Sequence, residues 1–275
     1  MKSFLLTYTL IFASISFAQK SVSIAQKGKT PYPDIADFNQ KFELAKWLYA
    51  YDMVAWQTSD SVMKQDKSEL ARLGSEWFCF QQNDTWHAVY GKYQEQHFDL
   101  VFHFVMENDR AQRTTAAVDT SLLNSYSRAL QTANKQIETL KDTTGLRFNQ
   151  FIRANPDNTL SVWIFPAFQP NSVAVYGGEF GYTLDATGTQ ILKEDVYFSG
   201  TFRGFKVDQP REIWINYRDT PTPTLGAVFF AWYYKAYFTK IVIDNTNSIS
   251  TPFKTNDGSW MWIHAEKQQG KRKKN

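Results

Sequence analysis

The stretch "EWFCFQQNDTWHAVYGKYQEQHFDLVFHFVMENDRAQR" occupies residues 76–113. Apolar and polar residues alternate along it, and short polar breaks at "NDT", "QEQ" and "END" interrupt the alternation. A period of two with breaks of this kind is the pattern of antiparallel strands joined by tight turns. The runs "EWFCFQQ", "TWHAVYGKY", "HFDLVFHFVME" and "RAQRTTAAVD" therefore read as a four-strand meander. In the third run, Phe98, Leu100, Phe102, Phe104 and Met106 fall on one face. His97, Asp99, Val101, His103, Val105 and Glu107 fall on the other.

A one-sided sheet needs a partner for its apolar face. The sequence supplies one upstream. "PYPD" at 31–34 ends in Asp34, a good N-cap, and Phe38, Phe42, Ala45 and Tyr49 follow at helical spacing. Downstream, Thr120–Lys141 carries Leu122, Tyr126, Ala129, Ala133, Ile137 and Leu140 as a stripe, with Gly145 beyond its end. After it come further strands. "RFNQFIRA" and "LSVWIFPAF" flank "NPDN", and "GGEFGYTLD" and "QILKEDVYF" flank "ATG". "REIWINY", "KIVID" and "MWIHA" also read as strands, and "PTLGAVFFAWYYKA" as a short buried helix. The expected fold is α+β: two helix-plus-antiparallel-sheet halves, 31–118 and 147–266, joined by a long helix within 119–146.

The two ends carry the compartment signals. Met1-Lys2 is basic, Ser3 to Phe17 is an apolar run, and Ser16 and Ala18 are small. This layout predicts a signal peptide over 1–18, cleavage between Ala18 and Gln19, and a flexible leader over 19–30. The expected location is periplasmic or secreted. The "SFAQ" ending resembles the signal peptides of exported Bacteroidota-type proteins. The formal net charge is +3, and the tail from Lys267 to Asn275 holds five positive charges and no acid. The body is therefore acidic on balance, which argues against nucleic acid as a partner. The tail reads as a solvated end that could touch an anionic membrane surface. Cys79 is the single cysteine, so neither an internal disulfide nor a cysteine zinc site can form. Its setting in "WFCF" is that of a small buried hydrophobe.

The second half resembles a set of uncharacterised exported bacterial proteins. The resemblance is carried by "GGEFGYTLDATG", "IWINYRDTPTPT" and "VFFAWYY". The same layout is remotely similar to JAB-type metalloproteases, whose signature is His-x-His, seven residues, Ser, two residues, Asp. That resemblance implies two imidazoles and a carboxylate on zinc, with a water at the open position. In this chain the four positions hold Asn216, Arg218, Gly226 and Phe229. No zinc ligand is left, so the resemblance implies a scaffold without the chemistry. Arg218, with Asn216 and Asp219, then becomes a candidate anion-recognising group.

Three of the four histidines lie in the meander. If Tyr93 stands opposite His97 across "QEQ", then His87 stands opposite His103, with Asp99 on the same face. Two imidazoles and a carboxylate could hold zinc or another metal, and an imidazole pair could also sense pH. Glu179 and Asp185 could share a face as a carboxylate pair for glycoside hydrolysis. The chain's nine tryptophans and fourteen tyrosines could stack on sugars, although most fall at strand core positions. These features favour a non-catalytic exported envelope protein that binds a protein or glycan. The alternative is an exported hydrolase, metal-dependent through His87 and His103 or carboxylate-based.

Overall fold

The computed structural model describes residues 34–267, which fall within one compact unit. The expected signal peptide (1–18) and leader (19–30), and the tail beyond Lys267, lie outside the described residues. The fold is α+β, with five helices and three four-stranded sheets among the described residues. None of these helices is long and apolar enough to cross a membrane.

Helix α1 (Ile35–Val62) starts where the sequence places it, with the Asp34 carboxylate accepting the Asp37 N–H at 3.1 Å. Phe38 and Ala45 are buried as expected, while Phe42 and Tyr49 are half-buried. A short helix, α2 (Lys67–Leu70), leads into the first sheet.

That sheet is the expected meander, in the order β1 (Glu76–Gln82), β2 (Thr85–Gln94), β3 (His97–Glu107), β4 (Arg110–Arg113). Its three turns are Asn83-Asp84, Glu95-Gln96 and Asn108-Asp109, each with positive φ at both residues. These angles define type I′ turns, whose twist matches that of the strands.

Two details overturn the expected register. The second turn has two residues rather than three, so Gln94 rather than Tyr93 stands opposite His97. A bulge then leaves Val101 without a partner, because Gly91 pairs with Leu100 and Tyr90 with Phe102. His103 therefore stands opposite Val89, and His87 opposite Val105. A bulge also reverses which side chains point where. Phe98 joins the core on one face, whereas Phe102 and Phe104 join the core on the other. His103 shares the Phe98 face and is buried rather than solvent-facing.

The long helix is two helices. α3 (Thr120–Gln136) is capped by Asp119, breaks at Ile137, and continues as α4 (Glu138–Thr144) until Gly145 ends it at φ 63°. Leu123, Tyr126, Ala129, Leu130 and Ala133 pack between the first sheet and the second. The second sheet runs β5 (Phe148–Ala154), β6 (Leu160–Pro166), β7 (Val173–Leu184), β8 (Ile191–Lys206), all antiparallel. One continuous core thus spans both expected halves, with α3 as the bridge.

The third sheet departs from the all-antiparallel expectation. Its order is β12 (Trp260–Glu266), β11 (Ser248–Lys254), β10 (Lys240–Asn245), β9 (Glu212–Tyr217). β9 and β10 are parallel, and helix α5 (Leu225–Tyr234) makes the crossover that a parallel pair requires. β11, "SISTPFK", has no counterpart in the sequence reading.

Candidate functional site

The β9–α5 loop is held from behind by one side chain. The Asn245 amide donates to the Thr220 hydroxyl at 2.8 Å, the Thr222 carbonyl at 3.0 Å and the Tyr217 carbonyl at 3.4 Å. Residues 216–219 on this loop do not converge. The Asn216 N–H donates to the Tyr176 hydroxyl at 3.4 Å. Arg218 donates to Asp244 at 2.6 Å, and Asp219 accepts from the Tyr197 hydroxyl at 2.8 Å. Asp244 is buried, and Lys267 also pairs with it. Burial works to raise the Asp244 pKa, but the hydrogen bonds from Lys267 and Arg218 outweigh it and hold the carboxyl below its usual range. Arg218 is thus committed to an internal anion, although its side chain stays 73% exposed.

The N-terminus of α5 presents free N–H groups and a positive dipole end, which is a natural anion site. The chain fills it itself. Glu179 from β7 accepts the Gly226 N–H at 2.6 Å and the Thr224 hydroxyl. Thr224 is also the α5 N-cap, accepting from the Ala227 N–H. Only glycine fits at 226, because a Cβ there would lie 2.7 Å from the Glu179 carboxyl carbon. Burial pushes the Glu179 pKa up to about 7, against the pull of the Thr224 and Gly226 hydrogen bonds. Phe229, at the other displaced motif position, is core, packed on Phe151 and Phe165.

The expected pairing of Glu179 with Asp185 does not occur. Asp185 is a half-buried turn residue whose carboxylate accepts from Thr187, Thr189 and Gln190. The Thr187 hydroxyl bond and the Gln190 N–H together pull its pKa down to about 2.

Glu179 borders a larger feature that the sequence reading did not single out. The face of the second sheet turned toward α1 is only partly covered. The register places Ser161, Thr183 and Lys193 in one row across β6, β7 and β8. Trp163, Gly181 and Asp195 form the next row. These residues floor a cavity of about 640 Å³, walled by Asp37 and Lys41 of α1 and by Thr224. Lys41 fixes that wall, donating to Asp37 at 2.7 Å and to the Pro223 carbonyl at 3.0 Å. Gln40 and Leu44 also line a second, open depression of about 870 Å³ around Trp47 and Arg153. The two share Gln40 and Leu44 and so adjoin along α1.

The histidines form a separate feature. Despite the altered register, His87 Nδ1 and His103 Nε2 lie 2.9 Å apart. His103 Nδ1 faces the Ala116 carbonyl at 3.0 Å and must donate to it. His103 Nε2 is then the acceptor and His87 Nδ1 the donor. Asp99 does not join them; it lies 3.6 Å from His97 and accepts from Gln94. Among the described residues no group of three or more His, Cys, Asp or Glu side chains is placed to share a metal ion.

The pair carries a pH prediction. Burial lowers the pKa of both imidazoles; facing His103 lowers that of His87 further, while the Ala116 bond opposes the shift at His103. A histidine whose folded pKa is depressed stabilises the fold above its unfolded value of about 6.5, and that stability is lost as pH falls through the folded value. Melting temperature should therefore fall more steeply below pH 6.5 in the parent than in His87→Phe. Parallel profiles for the two proteins would contradict the assignment.

Comparison with protein-family models, with curated proteins and with solved structures returns no match at any of the three levels, so the site stands on its geometry alone.

Proposed function

We propose that this chain is a non-catalytic exported envelope protein that binds a glycan in the groove between α1 and the second sheet. The observation that carries the reading is the groove itself. Its floor is a sheet, and it mixes an indole at Trp163 with hydroxyl, carboxylate and ammonium groups. Ligand clefts typically combine an aromatic surface with a few convergent polar groups. Saccharides present both an apolar ring face and a rim of hydroxyls, and such a lining matches both. Export rests on the N-terminal sequence.

The absence of catalysis rests on the fate of the motif positions. The α5 N-terminus is filled by Glu179, and Gly226 and Phe229 offer no ligand or nucleophile. A carboxylate-based hydrolase is the second reading. The observation that favours it is Glu179, near neutral in pKa, beside Asp195 on the same sheet face. Both Glu179 oxygens are already engaged by α5, which favours the structural role.

Tryptophan fluorescence titration of the mature chain against soluble bacterial and plant polysaccharides tests the proposal. Binding is expected for at least one, with affinity lowered roughly tenfold in Trp163→Ala through loss of the stacking surface. No binding across the panel, or full affinity in Trp163→Ala, would overturn it. Reducing ends released from a bound polysaccharide, and lost in Glu179→Gln, would establish the hydrolase instead.

A further inference from the structure

We infer that the outer end of the groove is an oxyanion subsite built on Arg153, so that the glycan it takes is acidic. The inference rests on the glycan reading of the groove and narrows it.

Arg153 projects from β5 on the α1 side of the second sheet, one row from Trp163. Its guanidinium carbon lies 5.3 Å from the Trp47 ring centroid and 5.6 Å from that of Trp163. The two indoles stand 6.3 Å apart at 59°. Trp47 is itself fixed, donating its ring N–H to Gln81 at 3.0 Å. Two aromatic surfaces therefore hold the guanidinium. Contacts of this kind engage its π-face and leave the in-plane N–H edge available.

Arg153 takes part in none of the ion pairs among the described residues. Two acids of α1 that line the two depressions, Glu43 and Asp37, are themselves paired. Glu43 pairs with Lys46 at 2.7 Å, and Asp37 with Lys41 at 2.7 Å. Burial disfavours the charged form, since desolvation lowers the Arg153 pKa, yet arginine stays protonated in proteins. A half-buried, uncompensated cation at the mouth of a ligand groove is a receptor for an anion, and its planar fork matches a carboxylate or sulfate in two-point contact. Neutral sugar rings would stack on Trp163 deeper in the groove. The anionic substituent would sit over the depression lined by Trp47 and Arg153.

The shared chemistry is an oxyanion on a saccharide, either a uronate carboxylate or a sulfate ester. The test titrates the mature chain with polygalacturonate, with its carboxyl-reduced neutral form, and with a sulfated galactan. Expected is roughly tenfold tighter binding of at least one acidic polymer than of the neutral form, weakening as salt rises. Whether the uronate or the sulfate ester gives the gain identifies the anion. Arg153→Gln should erase the preference for the acidic polymer over the neutral one. Arg153→Lys keeps the charge without the fork and should restore only part of it. Matching melting temperatures confirm that both variants fold, and the salt dependence of the parent reads the same charge without any variant. Equal affinity for acidic and neutral polymers, or an acid preference that survives Arg153→Gln, would overturn the subsite while leaving the groove reading intact. No binding of any of the three would sink both.

Discussion

Phe102→Ala is expected to lower the free energy of unfolding by roughly 3–5 kcal/mol, measured as a drop in the denaturant midpoint at unchanged slope. Phe102 is 1% exposed and sits on the α1 side of the meander beside Phe104, with the Arg113 guanidinium 4.8 Å from its ring centroid. Removing the ring leaves a cavity walled by an α-helix and a sheet that are each fixed by other contacts, so little collapse can compensate. Phe98→Ala should cost a similar amount from the opposite face, where Phe98 meets Phe78. A small cost at either position would mean that one face of the meander is not a core.

Glu179→Ala is expected to be comparably damaging. It strips the partner from the half-buried Gly226 N–H and Thr224 hydroxyl, each unmet group costing at most about 1–3 kcal/mol, and leaves a void against Gly226. Glu179→Gln keeps an acceptor and the volume, so it should cost less. The two variants also differ from the parent in pH behaviour. The folded pKa of Glu179, about 7, lies above its ordinary value of 4.5. Its contribution to stability is therefore fully present below pH 4.5 and is lost as pH rises through 7. The opposing histidine effect acts over part of the same range, so the reading is the difference between parent and variant. Glu179→Gln should flatten the decline between pH 4.5 and 7. Coincident profiles would show that folding does not raise the Glu179 pKa.

The comparison of sequence with structure turns on a few residues. Alternation and turn residues were enough to read β1 to β4, because each hairpin is local and its type I′ turn is marked by Asn-Asp at two of three places. The bulge at Val101 has no signal of its own in β3. Its trace is in the partner strand, where Gly91 interrupts an otherwise bulky run. A Cβ at Gly91 would lie 2.2 Å from the Asp99 carbonyl oxygen, so the glycine is required by close approach of the two backbones.

β11 was hidden by Pro252, which argues against a central strand. The register resolves the conflict. β10 pairs with β11 only at Ser250 and Ile249, so Pro252 lies beyond the shared ladder and is locally at an edge. The parallel pair was within reach, since strand, helix and strand follow in order from Glu212 to Asn245.

The candidate site was less legible. The β9–α5 loop is legible as a loop, but the carboxyl group that fills the α5 N-terminus, Glu179, comes from 45 residues upstream of Thr224. Trp47, Arg153 and Trp163 meet only through the packing of α1 on the second sheet. No spacing in the sequence announces a groove assembled from a helix and four strands.

The central claim is that this groove is the binding surface. Amide hydrogen exchange of the mature chain, with and without a saturating oligosaccharide chosen by the titration, tests it most directly. The account predicts slowed exchange in Leu160–Pro166, Val173–Leu184 and the first half of Ile35–Val62, with the first and third sheets unchanged. Protection confined to the meander or to β9–β12, or no protection at saturating ligand, would contradict it.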